Sequence, residues 1–533
     1  MRKKSLYIVF ATILLTGCFV STYNKDWNIV WDTSKIQEKA DFLASLDKEE
    51  KSDRPNVIII LADDLGKFEV SAYGAEDIQT PNIDKIGENG VRFQDAYVTA
   101  PICAPSRASI LTGRYQQRYG FETQPMDFYP TNKLEYGLGK KSDLGDWQVT
   151  ANPEFPTPWM VERQGIPPNE INIAELFQAS GYSTGIVGKW HLGHGEEHLP
   201  NHRGFDYQYG FYGAFSLYTP SRKTEGFVNY IQDDLSSRHQ WNMGRNENAA
   251  IRENDKVVNE SDYLTFAMNN KAKQFVSDKK DENFFLYLSF NAPHVPFQAP
   301  QSYYDQFAHI KDENRRVYLA MIKALDDAVG DFMEHLKKEG LDENTIVYFI
   351  SDNGGASYTG ATENGPLKGG KITHFEGGVN VPFMMQWKGH LPVGTVFKHP
   401  VSSMDIFTTS LKACNIPLPK DTKIDGKDLM PYIKKRASGE PHEKLYWRTD
   451  HIQAIRYQKW KLILSTRDEW MHLYNLESDK SEKIDLKDLN ADEKQMLLRF
   501  FQEWNEELPD EYLWPRIMDR KFVLGDKTYY FPA

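Results

Sequence analysis

The chain has 533 residues, 40% of them hydrophobic and 13% aromatic, which is more core material than one ordinary domain uses. Its net charge of −12 excludes the basic footprint of a nucleic-acid binder. The same charge repels polyanions on average, so an anionic substrate has to be drawn in by a local basic pocket.

The N-terminus opens with Arg2-Lys3-Lys4 and a short apolar run from Leu6 to Leu15. That is the pattern of a signal peptide, too short for a membrane-spanning helix. Leu15-Thr16-Gly17-Cys18 resembles a bacterial lipobox, which predicts an exported lipoprotein of the periplasm or outer membrane, anchored through Cys18. Residues 19–53 are polar and charged and read as a tether with one short helix around Lys35–Lys48.

From residue 54 to about 440 the texture is that of an α/β domain. Asn56–Leu61 is a continuous apolar, β-branched run, as in a strand buried on both faces, and it stops at Ala62-Asp63-Asp64. Cys103-Ala104-Pro105-Ser106-Arg107 stands at a strand-to-helix junction. A thiol there faces unpaired N–H groups and the positive end of the helix dipole, a setting that favours an anionic group. Ile173–Ala179 is a helix ending at Gly181, and Ser183–Val187 is a strand leading into Gly188-Lys189-Trp190-His191. Phe284–Phe290 forms another strand and ends at Asn291-Ala292-Pro293-His294. Arg315–Lys338 carries apolar residues at the helix period before Gly340, and Thr345–Ile350 is a strand that stops at Ser351-Asp352-Asn353-Gly354-Gly355. Strands alternating with helices predict a mostly parallel central sheet sandwiched by helices. Beyond about residue 440, short alternating strands at 445–448, 453–457, 460–464 and 472–476 and a helix over 493–507 predict a small antiparallel C-terminal α+β subdomain, 441–533.

In such sheets ligands gather beyond the carboxyl ends of the strands. Asp63, Asp64, Lys189, His191, His294, Asp352 and Asn353 all follow predicted strand ends. Asp63-Asp64 and Asp352-Asn353 offer hard oxygen atoms, a set suited to Ca²⁺, with Mg²⁺ as the alternative, and lacking the thiolates and imidazoles that zinc favours. Lys189 and His191 share one side of an extended segment; a lysine supplies a point charge for an anionic oxygen and a histidine supplies proton transfer near neutral pH. The glycines of Gly369-Gly370-Lys371-Ile372-Thr373-His374-Phe375-Glu376-Gly377-Gly378 allow backbone to approach a ligand closely around Lys371.

Taken in order, these segments resemble the type I, formylglycine-dependent sulfatases of the alkaline phosphatase superfamily. The resemblance is carried by Pro55-Asn56-Val57 with Asp63-Asp64, the run C-A-P-S-R-A-S-I-L-T-G-R from Cys103, G-K-W-H-L-G from Gly188, N-A-P-H from Asn291, S-D-N-G-G from Ser351 and the Gly369–Gly378 segment. It spans about residues 53–490, and its motifs fall in the family's order. It implies an alkaline-phosphatase-like catalytic domain over 54–440 and conversion of Cys103 to formylglycine (3-oxoalanine) by a maturation enzyme. Ca²⁺ is then held by Asp63, Asp64, Asp352, Asn353 and the modified Cys103. Arg107 steadies the formylglycine, Lys189 and Lys371 bind sulfate oxygens, His191 hydrogen-bonds the formylglycine hydrate, and His294 is the general acid, with Lys368 a second basic candidate. The implied reaction is sulfate ester hydrolysis, in which one hydroxyl of the hydrated aldehyde attacks sulfur and the other later expels sulfate. With Cys18 lipidated and Cys103 modified, Cys414 is left without a partner, so a disulfide framework is excluded.

Two stretches, Glu122–Pro168 and Phe211–Asp262, lie outside the shared core and are rich in Tyr, Phe, Trp and Asn, as sugar-binding rims are. They point to a sulfated glycan or sugar as substrate. Two other readings stay open on sequence alone: a phosphodiester or phosphonate monoester hydrolase of the same superfamily, and a non-catalytic glycan-binding lipoprotein.

Overall fold

The computed structural model describes residues 29, 31–48, 53–125, 137, 145–149, 157–232, 240–509, 512–514, 516 and 518–532. The segments read as a signal peptide and as a lipobox at Cys18 lie outside the described residues. In the segment read as a tether, Thr33–Ala44 is a helix whose first N–H groups are capped by Asp32. Lys39 pins that helix to the body through Glu175 at 2.6 Å and the Pro168 and Glu170 carbonyls.

Ten strands build the main sheet, in the order Thr395–Phe397, Val91–Phe93, Phe383–Gln386, Thr345–Ser351, Asn56–Ala62, Phe284–Ser289, Ser183–Lys189, Tyr207–Phe211, Arg252–Glu253 and Lys256–Val257. The five from Thr345–Ser351 to Tyr207–Phe211 are parallel, and antiparallel pairings begin on either side of them. Alternation divides the Asn56–Ala62 strand between two cores. Val57, Ile59 and Leu61 face one, while Ile58, Ile60 and Ala62 face the other. The first core is completed by the helices Cys103–Thr112, Ile173–Ala179 and Asp405–Ala413, the second by Leu264–Asp278 and Glu313–Lys338. The continuous apolar runs of the sequence are explained by this double burial.

The register sets the four central strand ends at one level. Ala62 lies opposite Ser351, Leu61 opposite Ser289, and Ser289 opposite Gly188. Whatever follows these residues projects from one rim of the sheet.

The C-terminal strands Lys444–Thr449, Ile452–Tyr457, Trp460–Ser465 and Met471–Asn475 form an antiparallel sheet. Leu497, Phe501 and Trp504 of the helix Ala491–Asn505 pack on Ile455, Leu462, Leu464 and Leu473 of that sheet. A last hairpin, Met518–Leu524 with Lys527–Pro532, pairs with Trp147–Val149 in a separate three-stranded sheet. The sequence pattern did not announce this hairpin, because Asp519, Arg520 and Lys521 interrupt any apolar alternation.

Candidate active site

Asp63 and Asp64 leave the Asn56–Ala62 strand, Asp352 and Asn353 leave Thr345–Ser351, Lys189 ends Ser183–Lys189, and His294 follows Phe284–Ser289. All are buried, as is every residue of the helix that Cys103 begins. The Cys103 thiol donates towards Asp63 Oδ1 at 3.4 Å and Asp64 Oδ1 at 3.7 Å. Among the described residues, ligand atoms of Asp63, Asp64, Cys103 and His294 lie within 4.8 Å of one another. Asp352 lies against them, its Oδ1 accepting from the Asp64 N–H at 3.1 Å. Asn353 donates through Nδ2 to Asp64 Oδ1 at 2.8 Å, and its buried Oδ1 has no protein partner. Three carboxylates and an amide oxygen that the protein leaves unsatisfied form a donor set suited to a hard divalent cation.

Cations interleave with these acids. Lys189 Nζ lies 2.7 Å from Asp63 Oδ2, and Lys371 Nζ lies 2.9 Å from Asp64 Oδ2. Arg107 donates through Nε to Asp352 Oδ2 at 2.8 Å, and its Nη1 donates to both Ser289 Oγ and the Lys189 carbonyl. Ser289 Oγ in turn donates to that carbonyl at 2.7 Å. It therefore ties Arg107 to the strand that carries Lys189. Sequence reasoning missed Ser289, although a lone hydroxyl at the end of Phe284–Ser289 was the available signal.

The backbone is bent to aim these groups. Asp64 and His191 adopt positive φ of 62° and 61°, and Ile372, next to Lys371, has φ of 79°. For a β-branched residue that conformation is strained, and strain of this kind persists only where the surroundings over-determine it. The Ile372 N–H is held by the Pro101 carbonyl at 2.7 Å, two residues before Cys103. At Gly188, with φ of 119°, a side chain would meet the Ser289 carbonyl at 1.8 Å, so only glycine lets Lys189 leave the strand here.

The charges set the protonation states. Burial works against ionisation of Asp63, but Lys189, with His294 and Arg107, holds its carboxyl well below the usual range. Burial, with the Asp63 charge added, pushes Asp352 up to about 7. Burial also pushes the Cys103 thiol well above its ordinary value despite the two lysines, so the unmodified side chain is a protonated, inert thiol. His294 is pushed down to about 4 by burial and the Lys371 charge. Its Nδ1 donates to the Val295 carbonyl, and Nε2 faces Asp64 Oδ2 at 3.6 Å. His191 is driven down by burial and by Lys189. Both of its ring nitrogens are buried with no protein partner.

Lys368 is not brought to this cluster. Its ammonium lies 4.2 Å from the Phe375 ring centroid and donates to the Tyr474 hydroxyl, facing the C-terminal sheet. A pocket of about 180 Å³ gives access to His294 and Lys371, and Trp147, Tyr358, Gln240 and Arg520 also line it. Of these, Trp147 and Gln240 belong to the two aromatic-rich stretches singled out in the sequence, whereas Tyr358 and Arg520 had no sequence signal.

The Sulfatase family model matches residues 55–416, and a model of the N-sulphoglucosamine sulphohydrolase C-terminal region matches residues 370–507. N-acetylgalactosamine-6-sulfatase of Mus musculus is 32% identical over 421 residues, covering 77% of this chain and 72% of its own. Steryl-sulfatase of Homo sapiens is 29% identical over 465 residues, covering 76% of this chain and 74% of its own. The crystal structure of Ps i-CgsB aligns with a TM-score of 0.71 at 34% identity, covering 86% of this chain and 95% of that one. Its complex with k-i-k-neocarrahexaose gives 0.71 at 33% identity, with the same shares of each chain.

Proposed function

The chain belongs to the sulfatase family and is a sulfuric ester hydrolase, and on that premise we propose that it removes sulfate from a sulfated sugar, using Cys103 converted to formylglycine. The observation that carries the reading is the convergence of Cys103, three carboxylates and the Asn353 amide with Lys189, Lys371 and Arg107 at one rim of the sheet. A cleft with this many fixed cations is built for an anion that gains charge in the transition state. The similarity to an N-acetylgalactosamine-6-sulfatase, and to a protein solved with neocarrahexaose, supports a carbohydrate as the leaving group.

Asp63, Asp64, Asp352 and Asn353 would hold a Ca²⁺ ion, which supplies charge neutralisation and lowers the pKa of an adjacent hydroxyl. The inertness of the Cys103 thiol supports its replacement by the hydrated aldehyde, whose two hydroxyls serve attack on sulfur and later release of sulfate. The two unpartnered nitrogens of His191 fit a hydrogen-bonding role towards that hydrate, since leaving them unsatisfied costs about 1–3 kcal/mol each. Lys189 and Lys371 bind the sulfate oxygens, exchanging part of their contact with Asp63 and Asp64 for the substrate. Arg107, braced by Ser289, keeps Asp352 and Asp63 in place. His294 is neutral beside Lys371, and the negative charge of an arriving sulfate ester raises its proton affinity. His294 takes up a proton from solvent at Nε2 as the ester binds and hands it to the sugar oxygen as the bond to sulfur breaks. The sequence through Cys18 supports export and lipid anchoring in a bacterial envelope, which mass spectrometry of the mature N-terminus checks.

The test is peptide mass spectrometry of protein co-produced with a formylglycine-generating enzyme, paired with sulfate release from nitrophenyl sulfate. Active protein should carry the thiol-to-aldehyde mass loss at Cys103, and Cys103→Ala should be folded and inactive. Full activity with an unmodified Cys103 peptide would sink the mechanism.

A further inference from the structure

Two polar atoms of opposite kinds line the pocket that reaches His294 and Lys371, and the protein pairs neither of them. Gln240 is only 8% exposed, and among the described residues its buried Oε1 accepts no hydrogen bond. On the same pocket the buried indole N–H of Trp147 finds no acceptor among them. A buried polar group without a partner is costly, so two of them beside the reacting groups point to an occupant that pairs with both. Gln232 makes the contrast. It lines the same pocket, yet its amide donates to the Thr359 carbonyl at 2.9 Å.

Both side chains sit on fixed backbone. Trp147 opens the short strand that pairs with the C-terminal hairpin, and the Arg520 guanidinium carbon lies 4.7 Å from its ring centroid. Tyr358 meets the indole edge-on, with centroids 6.5 Å apart. The Gln240 carbonyl accepts from the Gly244 N–H at 3.2 Å, closing a turn. Trp241 beside it is buried, and Arg245 ties the turn down by donating to the Leu217 carbonyl at 2.9 Å and the Glu260 carbonyl at 2.6 Å. Groups ordered in advance lose little freedom on binding, which favours selective recognition.

The chemistry of the pair defines the occupant. A carboxamide oxygen only accepts and an indole N–H only donates. An apolar alcohol leaves both unmet, whereas a ring with several hydroxyls meets both, because a hydroxyl donates and accepts. Val295 and Ile372 add apolar wall, and a few polar groups on such a wall fix a ligand's orientation. The volume of about 180 Å³ is below the ~300 Å³ at which drug-sized sites begin, which suits one sugar ring.

We infer that Gln240 and Trp147 select the leaving sugar: Gln240 Oε1 accepts from one hydroxyl, and the Trp147 indole donates to the oxygen of another. The inference rests on the sulfatase reading above and adds to it the residues that choose the ring.

Sulfate release is measured with formylglycine-bearing wild type, Gln240→Met, Gln240→Glu and Trp147→Phe. The substrates are nitrophenyl sulfate and the monosulfates of galactose, glucose and N-acetylgalactosamine. The sugar turned over fastest is then compared with its analogues lacking one hydroxyl each. On two of these analogues the wild type should lose about 5–100-fold in kcat/KM, the effect of leaving a desolvated group unpaired. In Gln240→Met one of the two losses should vanish while the other persists, and in Trp147→Phe the reverse should hold. Gln240→Glu keeps the acceptor, so it should keep the first loss whatever its added charge does to the overall rate. A purely structural role would slow sugar and analogue in proportion, and a ratio unchanged in both Gln240→Met and Trp147→Phe overturns the inference. A wild type indifferent to every missing hydroxyl also overturns it, and that measurement needs no variant to fold. So does turnover of nitrophenyl sulfate with none of any sugar. No release from any substrate, nitrophenyl sulfate included, would instead overturn the sulfatase reading.

Discussion

His294 and Lys371 line the same pocket, yet their proposed roles separate cleanly in kinetics. If His294 protonates the leaving oxygen, His294→Ala should slow hydrolysis of a sulfated sugar by about 10²–10⁴-fold and that of nitrophenyl sulfate far less, because a nitrophenolate departs unaided. Lys371→Ala should damage both substrates alike, since both present the same sulfate oxygens. Equal losses for His294→Ala would move it from acid to sulfate ligand. Ser289 makes a second residue-scale prediction. Ser289→Ala removes the hydroxyl that joins Arg107 to the Lys189 carbonyl and leaves a buried guanidinium N–H short of a partner, at a cost of about 1–3 kcal/mol. Its kcat should drop while Ser289→Thr restores part of it; unchanged kcat and melting temperature in the alanine variant would contradict the bracing role. The residue types of this site were legible in the sequence because each follows an apolar run that stops abruptly. Their partners were not. Nothing in Gly188-Lys189-Trp190-His191 says that Lys189 meets Asp63, 126 positions earlier.

Between elements, the C-terminal sheet is joined to the glycine-rich segment by a buried charge cluster. Lys461 Nζ lies 2.9 Å from Glu376 Oε1 and 3.0 Å from Glu482 Oε1, all fully buried, and Glu482 Oε2 accepts from the Glu376 N–H. Lys461→Met strands two facing carboxylates and should destabilise the fold by about 3–5 kcal/mol, read as a fall in urea midpoint. The pH dependence has two signs. Burial opposes ionisation of Glu376, but Lys461 outweighs it and holds the carboxyl down to about 2, below its ordinary 4.5. Its contribution is present above pH 4.5 and is lost as pH falls towards 2. Burial pushes Glu482 up to about 7, so its contribution is present below pH 4.5 and is lost as pH rises through 7. Thermal melts across this range should show Glu376→Gln flattening the acid limb and Glu482→Gln the neutral limb; two variants with the wild-type profile would refute the assignment. In the sequence these three residues are unremarkable members of separate segments, and only the docking of two sheets makes them one group.

At the scale of the whole molecule, the proposed metal site draws ligands from two strand ends that are adjacent only in the folded sheet. A cation bound to the native state alone should therefore stabilise everything, by about 2.7 kcal/mol when present at a hundred times its dissociation constant. Chelation should lower the melting temperature and abolish sulfate release, Ca²⁺ should restore both, and Asp352→Ala should have no chelator-sensitive melt to lose. A melting temperature and activity indifferent to chelation would remove the metal from the mechanism. The sequence by itself determined the α/β architecture, four of the five parallel central strands in outline and the identity of the residues on their ends, whereas Tyr207–Phe211 was found only in the fold. Hydrophobic period and abrupt polar stops are local, and a strand buried on both faces cannot be written any other way. Tertiary structure decided what those residues do to one another: that Lys189 and Lys371 each meet an aspartate, that Ser289 braces Arg107, that Lys368 faces away, and that a C-terminal hairpin brings Arg520 to the pocket. These depend on register and on contacts across hundreds of positions, where the free energy of a pairing resides in three-dimensional proximity and leaves no period in the chain.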